Sequence, residues 1–432
     1  MSFYHFIAIG GAVMHNLALE LLALGNKVTG SDDEIFDPAR SRLQEAGILP
    51  SEFGWFPDKI SPEIDAIILG MHARSDNPEL IKAKELGLKI YSFPEFIYEH
   101  SRNKKRVVIA GSHGKTTSTA MLMHILKRRQ LSFDYLVGSL IDGYDRMVKL
   151  SDAPIIVIEG DEYLTSPLDR RPKFLHYHPH VAMITGIAWD HINVFPTFEG
   201  YVEQFQLFTN TVLERGFVFK GIDADFLNFS SSSAAWSDYD QPQELGGRTF
   251  SFFGQHNFQN AAGVVAIAET LGISASDAWD ALTDFPGTAK RLEKLSETEN
   301  LIVYRDFAHA PSKVKATVSA VREQYPNHRF IAIFELHTFS SLMPEFMVQY
   351  AGCFEGADLL RVVYDPHVFE LKKMDVPSAS TIESRLQVPS GTAISTLHAI
   401  ESALNTWLSD QSQPTVLLLM SSGKLMGYEA RG

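Results

Sequence analysis

The most informative stretch of this sequence is Val107-Val-Ile-Ala-Gly-Ser-His-Gly-Lys-Thr-Thr-Ser-Thr119. The apolar run Arg106-Val-Val-Ile-Ala110 predicts a buried strand. Two glycines follow this run, and an apolar pattern with helical spacing then continues through Leu126. The stretch therefore predicts a strand, a glycine-containing loop and the first turns of a helix, in that order.

Such a junction is suited to binding phosphate. Gly111 and Gly114 let backbone N–H groups approach an anion, and the helix dipole favours negative charge at the same place. Lys115 adds a full positive charge, and the Thr116 hydroxyl can bind Mg²⁺. The pattern is shorter than the strict P-loop, because Ile109 stands where that pattern has its first glycine. A plain strand-to-helix turn is the alternative, and it leaves the Gly-Lys-Thr-Thr run unexplained.

Length and composition limit the class of protein. A chain of 432 residues is long enough for two or three domains, each with its own core. The apolar fraction of 45% and the charged fraction of 21% are typical of a globular protein. A net charge of −14 without a basic tail argues against nucleic acid or an anionic membrane as a partner. Nothing in the sequence indicates an oligomeric state.

Cysteine content and apolar runs indicate the compartment. Cys353 is the only cysteine, which excludes an internal disulfide and predicts a buried, inert thiol. The chain begins without a basic segment, and no apolar run reaches the roughly 18 residues that span a bilayer. We therefore expect a cytoplasmic protein.

The residues before the central stretch predict a small α/β domain, 1–104, that ends in a charged linker. Strands at 6–10 and 27–30 flank a helix at 14–24, and further strands at 66–70 and 88–91 extend the sheet. The glycine fingerprint for a dinucleotide is incomplete, so these residues favour a nucleotide diphosphate. Asp32, at the end of the second strand, is placed to reach a sugar or a base.

Two more α/β domains are predicted, 105–288 and 289–432. In the central domain we expect strands at 155–159 and 181–185, helices at 198–214, 257–271 and 275–283, and an irregular serine-rich segment at 227–247. In the last domain we expect strands at 301–307, 329–335, 359–364 and 415–420 and helices at 311–324 and 392–408.

Several polar groups follow predicted strands, at the sheet edge where ligands bind in open α/β folds. Glu159-Gly-Asp-Glu162 ends one buried strand, and a carboxylate there near Thr116 would complete an oxygen site for Mg²⁺. An exposed acidic turn is the alternative for Asp161 and Glu162. Asp190-His191 follows the next strand, where a ligand role and a structural role are equally plausible.

Three later motifs also fall at strand ends or helix starts. His256-Asn257 could hold a purine and its ribose, although Asn257 as a plain helix N-cap is the alternative. Lys290-Arg291 could meet substrate phosphates or form a solvated hinge. Asp306-Phe-Ala-His309 ends one strand, and the segment that contains His337 follows another.

In their order, these motifs resemble those of the Mur ligase family over nearly the whole chain. The matching motifs are Gly-Ser-His-Gly-Lys-Thr-Thr (111–117), Glu-Gly-Asp-Glu (159–162), Asp-His (190–191), Gly-Gln-His-Asn (254–257), Lys-Arg (290–291) and Asp-Phe-Ala-His (306–309). The resemblance implies a Rossmann-like N-terminal domain for a UDP-sugar, a P-loop-type central ATPase domain and a C-terminal Rossmann-like α/β domain. It also implies that ATP converts a carboxylate into an acyl phosphate, which an amine then attacks.

The resemblance assigns roles by position. Catalysis is assigned to Lys115, Glu159, His191, Arg291 and His309. The metal ligands would be Thr116, Glu159 and His191. ATP would be bound by Gly111, His113, Gly114, Lys115, Thr116, Thr117, His256, Asn257, Arg291 and Asp306. The other substrates would contact Gly11, Met14, Ser31, Asp32, His72, Arg74 and His337.

The choice within the family depends on fewer residues. Members that add the second to fourth residues of the peptide carry a carbamylated lysine where this chain has Phe205. Two kinds that use UDP-N-acetylmuramate itself remain: one adds L-alanine, and the other attaches a ready-made L-Ala-γ-D-Glu-meso-diaminopimelate tripeptide. The run Glu159–Tyr177 resembles the tripeptide ligase, which has an extra segment before the histidine-bearing strand, and residues 70–78 and 420–423 indicate the same ligase.

The chain also departs from the family pattern. Ala310 replaces a usual second histidine, and Arg305 replaces a usual first aspartate. Glu335-Leu-His-Thr-Phe-Ser stands where the tripeptide ligase has a basic segment, which leaves the identity of the amine open. Two other classes remain as alternatives: a non-catalytic UDP-sugar-binding protein, and an NAD oxidoreductase that uses residues 6–32.

Overall fold

The computed structural model describes residues 1–192, 194–213, 216–221, 224–225, 227, 234–239, 245–410 and 412–428. The strands in these residues are β1 (Phe3–Ile7), β2 (Lys27–Ser31), β3 (Ala66–Leu69), β4 (Lys89–Ser92), β5 (Lys105–Ala110), β6 (Phe133–Leu136), β7 (Val148–Lys149), β8 (Ile155–Gly160), β9 (Val181–Ile184), β10 (Phe217–Gly221), β11 (Ala235–Tyr239), β12 (Glu293–Glu297), β13 (Leu301–Asp306), β14 (Arg329–Leu336), β15 (Leu359–Tyr364), β16 (Ala393–Ile394) and β17 (Thr415–Met420).

The α-helices in the same residues are α1 (Ala12–Ala23), α2 (Ala39–Glu45), α3 (Pro78–Glu85), α4 (Phe93–His100), α5 (Lys115–Arg128), α6 (Phe198–Asn210), α7 (Gln255–Thr270), α8 (Ala275–Leu282), α9 (Pro311–Gln324), α10 (Phe339–Leu342), α11 (Pro344–Met347), α12 (Pro366–Leu371), α13 (Ala379–Leu386) and α14 (Leu397–Leu408).

The strands form three sheets, one in each of the three α/β regions expected from the sequence. The first sheet has the order β2-β1-β3-β4 and is parallel throughout. The second has the order β11-β10-β9-β5-β8-β6-β7, with only the β6–β7 pair antiparallel, and the third has the order β12-β13-β17-β14-β15-β16, with only β12–β13 antiparallel. The predicted three-domain α/β fold is confirmed.

The apolar run at 107–110 forms the centre of the second sheet. Strand β5 lies between β9 and β8, and its residues Val107, Val108, Ile109 and Ala110 are fully buried. A continuous aliphatic run suits a parallel strand that is covered on both faces. The loop after β5 therefore begins at the carboxyl edge of the sheet, where ligands bind in this architecture.

Some element boundaries differ from the predictions. The first strand is Phe3–Ile7 instead of 6–10, because the backbone already turns at Ala8, which has a left-handed φ of +67°. The last helix begins at Leu397, and residues 393–394 form a strand instead. Within the segment predicted to be irregular, Ala235–Tyr239 is strand β11, whereas residues 228–233 and 240–244 lie outside the described part of the chain.

The chain divides into two compact units. The first comprises Met1–Ile187, Phe198–Asp240 and Gly263–Ala281 and contains the first two sheets; the second comprises Ala188–Thr197, Gln241–Ala262 and Leu282–Gly432 and contains the third. Within the first unit, helix α1 joins the two sheets through polar contacts. The Glu20 carboxylate accepts the backbone N–H of Leu150 at 2.9 Å, and the side-chain oxygen Oδ1 of Asn16 accepts that of Met147 at 3.1 Å.

Two further expectations concern burial. Cys353 is buried, and burial raises the pKa of its thiol to about 11, as expected for an inert cysteine. Among the described residues, no helix combines the length and the apolar character that crossing a membrane requires.

Candidate active site

The loop between β5 and α5 has a conformation that its glycines make possible. Gly111 has a φ of +135° and Gly114 a φ of +73°, which other residues rarely adopt. A Cβ on Gly111 would lie 2.1 Å from Oγ1 of Thr185. The Thr185 hydroxyl donates to the backbone carbonyl of His113, which ties the loop to the end of β9. Thr117 lies partly exposed in the first turn of α5.

Lys115 is held between the loop and a carboxylate. Its Nζ donates to the carbonyl of Gly111 at 2.5 Å and to Oε2 of Glu162 at 2.6 Å. Burial alone would lower the pKa of Lys115, but the carboxylates of Glu162 and its neighbours outweigh burial and raise it. The alternative of an exposed acidic turn is wrong for Glu162, which is 1% exposed. A charged ammonium is therefore kept at the phosphate-binding loop.

Thr116 and Glu159 are in direct contact. The Thr116 hydroxyl donates to Oε1 of Glu159 at 2.8 Å, and the other carboxylate oxygen accepts the N–H of Gly138 at 2.9 Å. A hydroxyl and a carboxylate at the mouth of a phosphate loop are the hard oxygen ligands that Mg²⁺ prefers. These two residues fit a magnesium site, in agreement with the motif.

Other residues support this corner of the first unit. Tyr201 donates from its hydroxyl to Oε1 of Glu162 at 3.2 Å, and the same hydroxyl lies 2.9 Å from Oγ of Ser112. Lys173 donates to Oδ2 of Asp161 at 2.5 Å. Burial alone would raise the pKa of Asp161, but Lys173 and Lys115 outweigh burial and lower it. The acidic motif is thus held by two lysines.

The residues assigned to the UDP-sugar meet at the carboxyl edge of the first sheet. Asp32 follows β2, and its Oδ2 accepts the N–H of Gly10 at 2.7 Å, in the turn after β1 that also contains Gly11. Burial raises the pKa of Asp32 to about 6. Ser31 is fully buried, and its hydroxyl has no hydrogen-bond partner among the described residues. Such a hydroxyl is available to a ligand.

The other residues assigned to this substrate differ in exposure. Met14 is buried in the first turns of α1. His72 and Arg74 lie in the exposed segment after β3, and the Arg74 guanidinium pairs with Asp76 at 3.1 Å. These two side chains are accessible to an anionic ligand at this edge of the sheet.

In the second unit, Asp190 lies beside His309 and Lys313. Oδ2 of Asp190 is 3.3 Å from Nζ of Lys313 and 3.8 Å from Nε2 of His309. Burial alone would raise the pKa of Asp190, but Lys313 and the neighbouring histidines hold it well below its usual range. His191 follows with a left-handed φ of +55°, and its N–H donates to Oδ1 of Asp190 at 2.8 Å.

The surroundings of His309 keep its ring neutral. Its Nδ1 lies 2.8 Å from the carbonyl oxygen of Phe307, which can only accept, so Nδ1 carries the proton. Nε2 faces Nζ of Lys313 at 3.4 Å. Burial and the Lys313 charge lower the pKa of His309, and Asp190 only partly opposes them. The Nε2 lone pair therefore faces the Lys313 ammonium and can accept a hydrogen bond or a proton from it.

The residues assigned to the nucleotide in the second unit are Arg291, Asp306, His256 and Asn257. The Arg291 guanidinium lies over the ring of Phe307, 4.7 Å from its centroid. Both oxygens of Asp306 accept backbone N–H groups, those of Leu292 at 2.7 Å and Ala308 at 2.6 Å. Burial raises the pKa of Asp306, although Arg291 opposes it.

The alternative of Asn257 as an N-cap is wrong. Helix α7 begins at Gln255, so both His256 and Asn257 are inside its first turn. The Asn257 amide donates back to the carbonyl of Phe253 at 2.8 Å. Its side-chain oxygen is the atom left to meet a ligand such as a purine.

His337 lies beside a carboxylate that binds the C-terminal loop. Glu335, at the end of β14, is buried, and its carboxylate accepts the N–H groups of Leu425 at 3.1 Å and Met426 at 3.2 Å and the Ser421 hydroxyl. A Cβ on Gly423 would lie 2.8 Å from both Glu335 and His337. Glu335 thus has a structural role, and the half-exposed His337 borders the same loop.

Sequence reasoning did not assign functions to Glu162, Lys173 or Lys313. Glu162 lies in a motif that was recognised, but its burial is a tertiary property. Lys313 lies four residues after His309, near the start of helix α9. This spacing could have indicated that the two side chains are in contact. Lys173 is twelve residues after Asp161 across an irregular segment, and no local pattern connects them.

Comparison with known proteins agrees with this geometry. The Mur ligase family catalytic domain matches residues 3–105, the Mur ligase middle domain residues 109–241, and the Mur ligase glutamate ligase domain residues 290–423. The chain therefore belongs to the Mur ligase family, and it is an ATP-dependent ligase. Membership of this family excludes the NAD oxidoreductase.

Individual relatives include two kinds of Mur ligase that use UDP-N-acetylmuramate. The UDP-N-acetylmuramate–L-alanyl-γ-D-glutamyl-meso-2,6-diaminoheptandioate ligase of Haemophilus influenzae is 30% identical over 78% of this chain and 80% of that protein. The UDP-N-acetylmuramate–L-alanine ligase of Limosilactobacillus reuteri is 32% identical over the same shares of the two chains. A murein peptide ligase from Psychrobacter arcticus shares the fold, with a TM-score of 0.66 at 23% identity over 99% of this chain and 97% of that one.

Proposed function

We propose that this ligase joins the carboxylate of UDP-N-acetylmuramate to the amine of L-Ala-γ-D-Glu-meso-diaminopimelate in peptidoglycan recycling. The γ-phosphoryl group of ATP passes to the carboxylate, which gives ADP and an acyl phosphate. The amine attacks the acyl carbon, phosphate leaves, and the amine loses a proton. Positioning and charge neutralisation carry most of such a reaction, because no covalent enzyme intermediate is needed.

The observation that carries the proposal is the group formed by Lys115, Thr116 and Glu159 at the phosphate loop. Lys115 is placed to bind the β- and γ-phosphates, and Thr116 and Glu159 would hold Mg²⁺. A magnesium ion bound there would supply charge neutralisation for the phosphoryl group. We retain His191 as a further ligand on the grounds of its motif.

The remaining role assignments are part of the same proposal. Gly111, His113, Gly114 and Thr117 surround the phosphates, and Arg291 adds a guanidinium. Asn257 and His256 contact the adenine and Asp306 the ribose. Domains 1–104, 105–288 and 289–432 take the UDP-sugar, the ATP and the amine, respectively, and His309 is assigned to the side of the amine.

The UDP-sugar is assigned to the edge of the first sheet. The buried Ser31 hydroxyl and the Asp32 carboxylate would hold the uridine, and the loop that contains Gly11 and Met14 would contact the diphosphate. The exposed His72 and Arg74 add basic groups toward the anionic end. These features favour an anionic nucleotide-sugar over a neutral sugar.

The choice of the tripeptide rests on the segment Glu159–Tyr177. In this segment Leu164 pairs with Pro172, and Lys173 contacts Asp161 of the acidic motif. The segment therefore folds back on the acidic motif that is proposed to face ATP. The relative from Haemophilus influenzae, a tripeptide ligase, supports this choice.

Addition of L-alanine to UDP-N-acetylmuramate is the second candidate. It is favoured by the 32% identity to the alanine ligase of Limosilactobacillus reuteri and by Glu335, which stands in place of a basic segment. Under this alternative His337 would face a small amino acid.

One assay distinguishes the two candidates. Purified protein is mixed with ATP, Mg²⁺ and UDP-N-acetylmuramate, and phosphate release is measured with either L-alanine or the free tripeptide. We expect a kcat/KM at least about tenfold higher with the tripeptide. A preference for L-alanine would overturn the choice of amine, and no phosphate release with either amine would overturn the whole proposal. Lys115→Ala should abolish release and leave binding of the UDP-sugar intact.

A further inference from the structure

Lys173 is a buried cation next to the ATP-binding group. It lies in the segment that follows the acidic motif, and its Nζ contacts Oδ2 of Asp161 at 2.5 Å. The same ammonium lies 5.5 Å from the ring centroid of Tyr163 and 5.8 Å from that of Phe93. Aromatic rings on two sides and a carboxylate on the third hold the charge in one place.

The backbone around Lys173 folds back on the acidic motif. The N–H of Phe174 donates to the carbonyl of Asp161 at 3.1 Å, and the N–H of Lys173 donates to the carbonyl of Tyr163 at 3.0 Å. Oδ1 of Asp161 accepts the N–H of Tyr163 at 3.0 Å. These bonds hold Asp161 in one orientation, so that only Oδ2 is directed at Lys173.

Lys173 reduces the excess negative charge around Lys115. Glu159, Asp161 and Glu162 all act electrostatically on Lys115. With both lysines present, the three carboxylates leave one excess negative charge, and without Lys173 they leave two. ATP is itself a polyanion, so each uncompensated carboxylate near its phosphates weakens its binding.

We infer that Lys173 is a positioning residue for ATP: it neutralises Asp161, so that Lys115 can leave its carboxylates and bind phosphate. This inference rests on the proposed assignment of Lys115 to the ATP phosphates. This role requires no contact between Lys173 and the nucleotide. Its effect is transmitted through Asp161 and through the charge that surrounds Lys115.

The test is binding of Mg²⁺ and the non-hydrolysable analogue AMP-PNP, measured by calorimetry on the full chain. We expect Lys173→Met to weaken binding about tenfold, with the loss greatest at low ionic strength. Lys173→Arg should restore most of the affinity. Asp161→Asn should bind at least as tightly as the wild type, and the double variant Lys173→Met/Asp161→Asn should recover to within about threefold of it.

The directions of these affinity changes separate an electrostatic role of Lys173 from a merely structural one. If Lys173 only stabilised the loop, Asp161→Asn would also weaken binding, and the double variant would be no better than Lys173→Met; either result would overturn the inference. Arg171→Met is the matched control, because it removes an exposed ion pair with Asp169 in the same segment. Thermal unfolding identifies any variant that fails to fold. If Lys173→Met fails to fold, the affinities of Lys173→Arg and Asp161→Asn still test the inference.

The assay also separates this inference from the proposed function. It uses nucleotide and metal only, so the identity of the sugar or the amine does not affect it. If the protein releases no phosphate but binds AMP-PNP tightly, the proposed substrates are contradicted. The role of Lys173 is then still tested by the AMP-PNP affinities of the variants. Wild-type protein that binds no AMP-PNP would overturn both.

Discussion

The hydroxyl of Thr116 donates a hydrogen bond of 2.8 Å to the carboxylate of Glu159, across 43 residues of sequence. Thr116 lies in the first turn of the helix after the phosphate loop, and Glu159 is the last residue but one of strand β8. Parallel strands bring their carboxyl ends to one edge of a sheet, so two distant motifs meet there. The contact places two hard oxygen donors next to the ammonium of Lys115.

Thr116→Val tests this pair. The substitution keeps the size and β-branching of the side chain and removes the hydroxyl. We expect the Mg²⁺ concentration for half-maximal phosphate release to rise by at least about tenfold, because one oxygen ligand is lost. Thr119→Val on the same helix is the matched control, since the buried Thr119 hydroxyl has no hydrogen-bond partner among the described residues. Equal Mg²⁺ dependence in the two variants would contradict the assignment.

Asp32→Asn is expected to stabilise the free protein and to weaken substrate binding. Burial raises the pKa of Asp32 to about 6, so the folded state disfavours its charged form. The free energy of unfolding therefore falls as the pH rises from about 4 to about 6. Above that window we expect the variant to be more stable by about 2 kcal/mol, and at pH 4 to be nearly equal.

Substrate binding provides the second measurement on Asp32→Asn. A charged acceptor for uridine is lost, so we expect the affinity for UDP-N-acetylmuramate to fall about tenfold or more at pH 7.5. Denaturant unfolding at pH 4 and pH 7.5 checks stability, and calorimetry checks binding. A variant that is less stable at pH 7.5 would show that Asp32 is not the buried charge described.

Lys313→Met should change the pH dependence of the ligase. Lys313 lowers the pKa of His309, while Asp190 raises it. Without the Lys313 ammonium, the pKa of His309 is higher. As the pH falls, the ring is therefore protonated, and its lone pair lost, at a higher pH than in the wild type. We expect the acid limb of kcat/KM to move to higher pH and the value at pH 7 to fall about threefold to tenfold. Lys315→Met, on the exposed face of the same helix, should leave the profile unchanged.

Gly111→Ala tests the backbone of the phosphate loop. At a φ of +135° the new Cβ would lie 2.1 Å from the Thr185 hydroxyl oxygen and 3.0 Å from the Thr185 nitrogen. Strain and overpacking together should lower the free energy of unfolding by about 3 kcal/mol. Gly25→Ala is the comparison: its φ is +82° with nothing within 4 Å of the new Cβ, so about 1 kcal/mol is expected. Similar losses in the two variants, measured in urea, would contradict the packing described.

Several elements could be predicted because their causes are local. The aliphatic run at 107–110 predicts a central parallel strand, and Pro311 at the first turn of α9 predicts where that helix begins. Boundaries near turns were less accurate, as for Phe3–Ile7, because the apolar run continues through Ala8 and Ile9, which already form the turn after the strand. Strand β11 was missed, because its hydrogen bonds to β10 compensate for a weak local pattern.

The sequence by itself determined the class of this ligase, since ordered motifs with glycines, a lysine and carboxylates at strand ends dictate a phosphate-binding architecture. Only the tertiary structure decided which charges face each other. Glu162 is buried against Lys115, Lys173 neutralises Asp161, and Lys313 approaches both Asp190 and His309. Burial and long-range contacts set the pKa of a group, and neither property is encoded in the few residues that flank it.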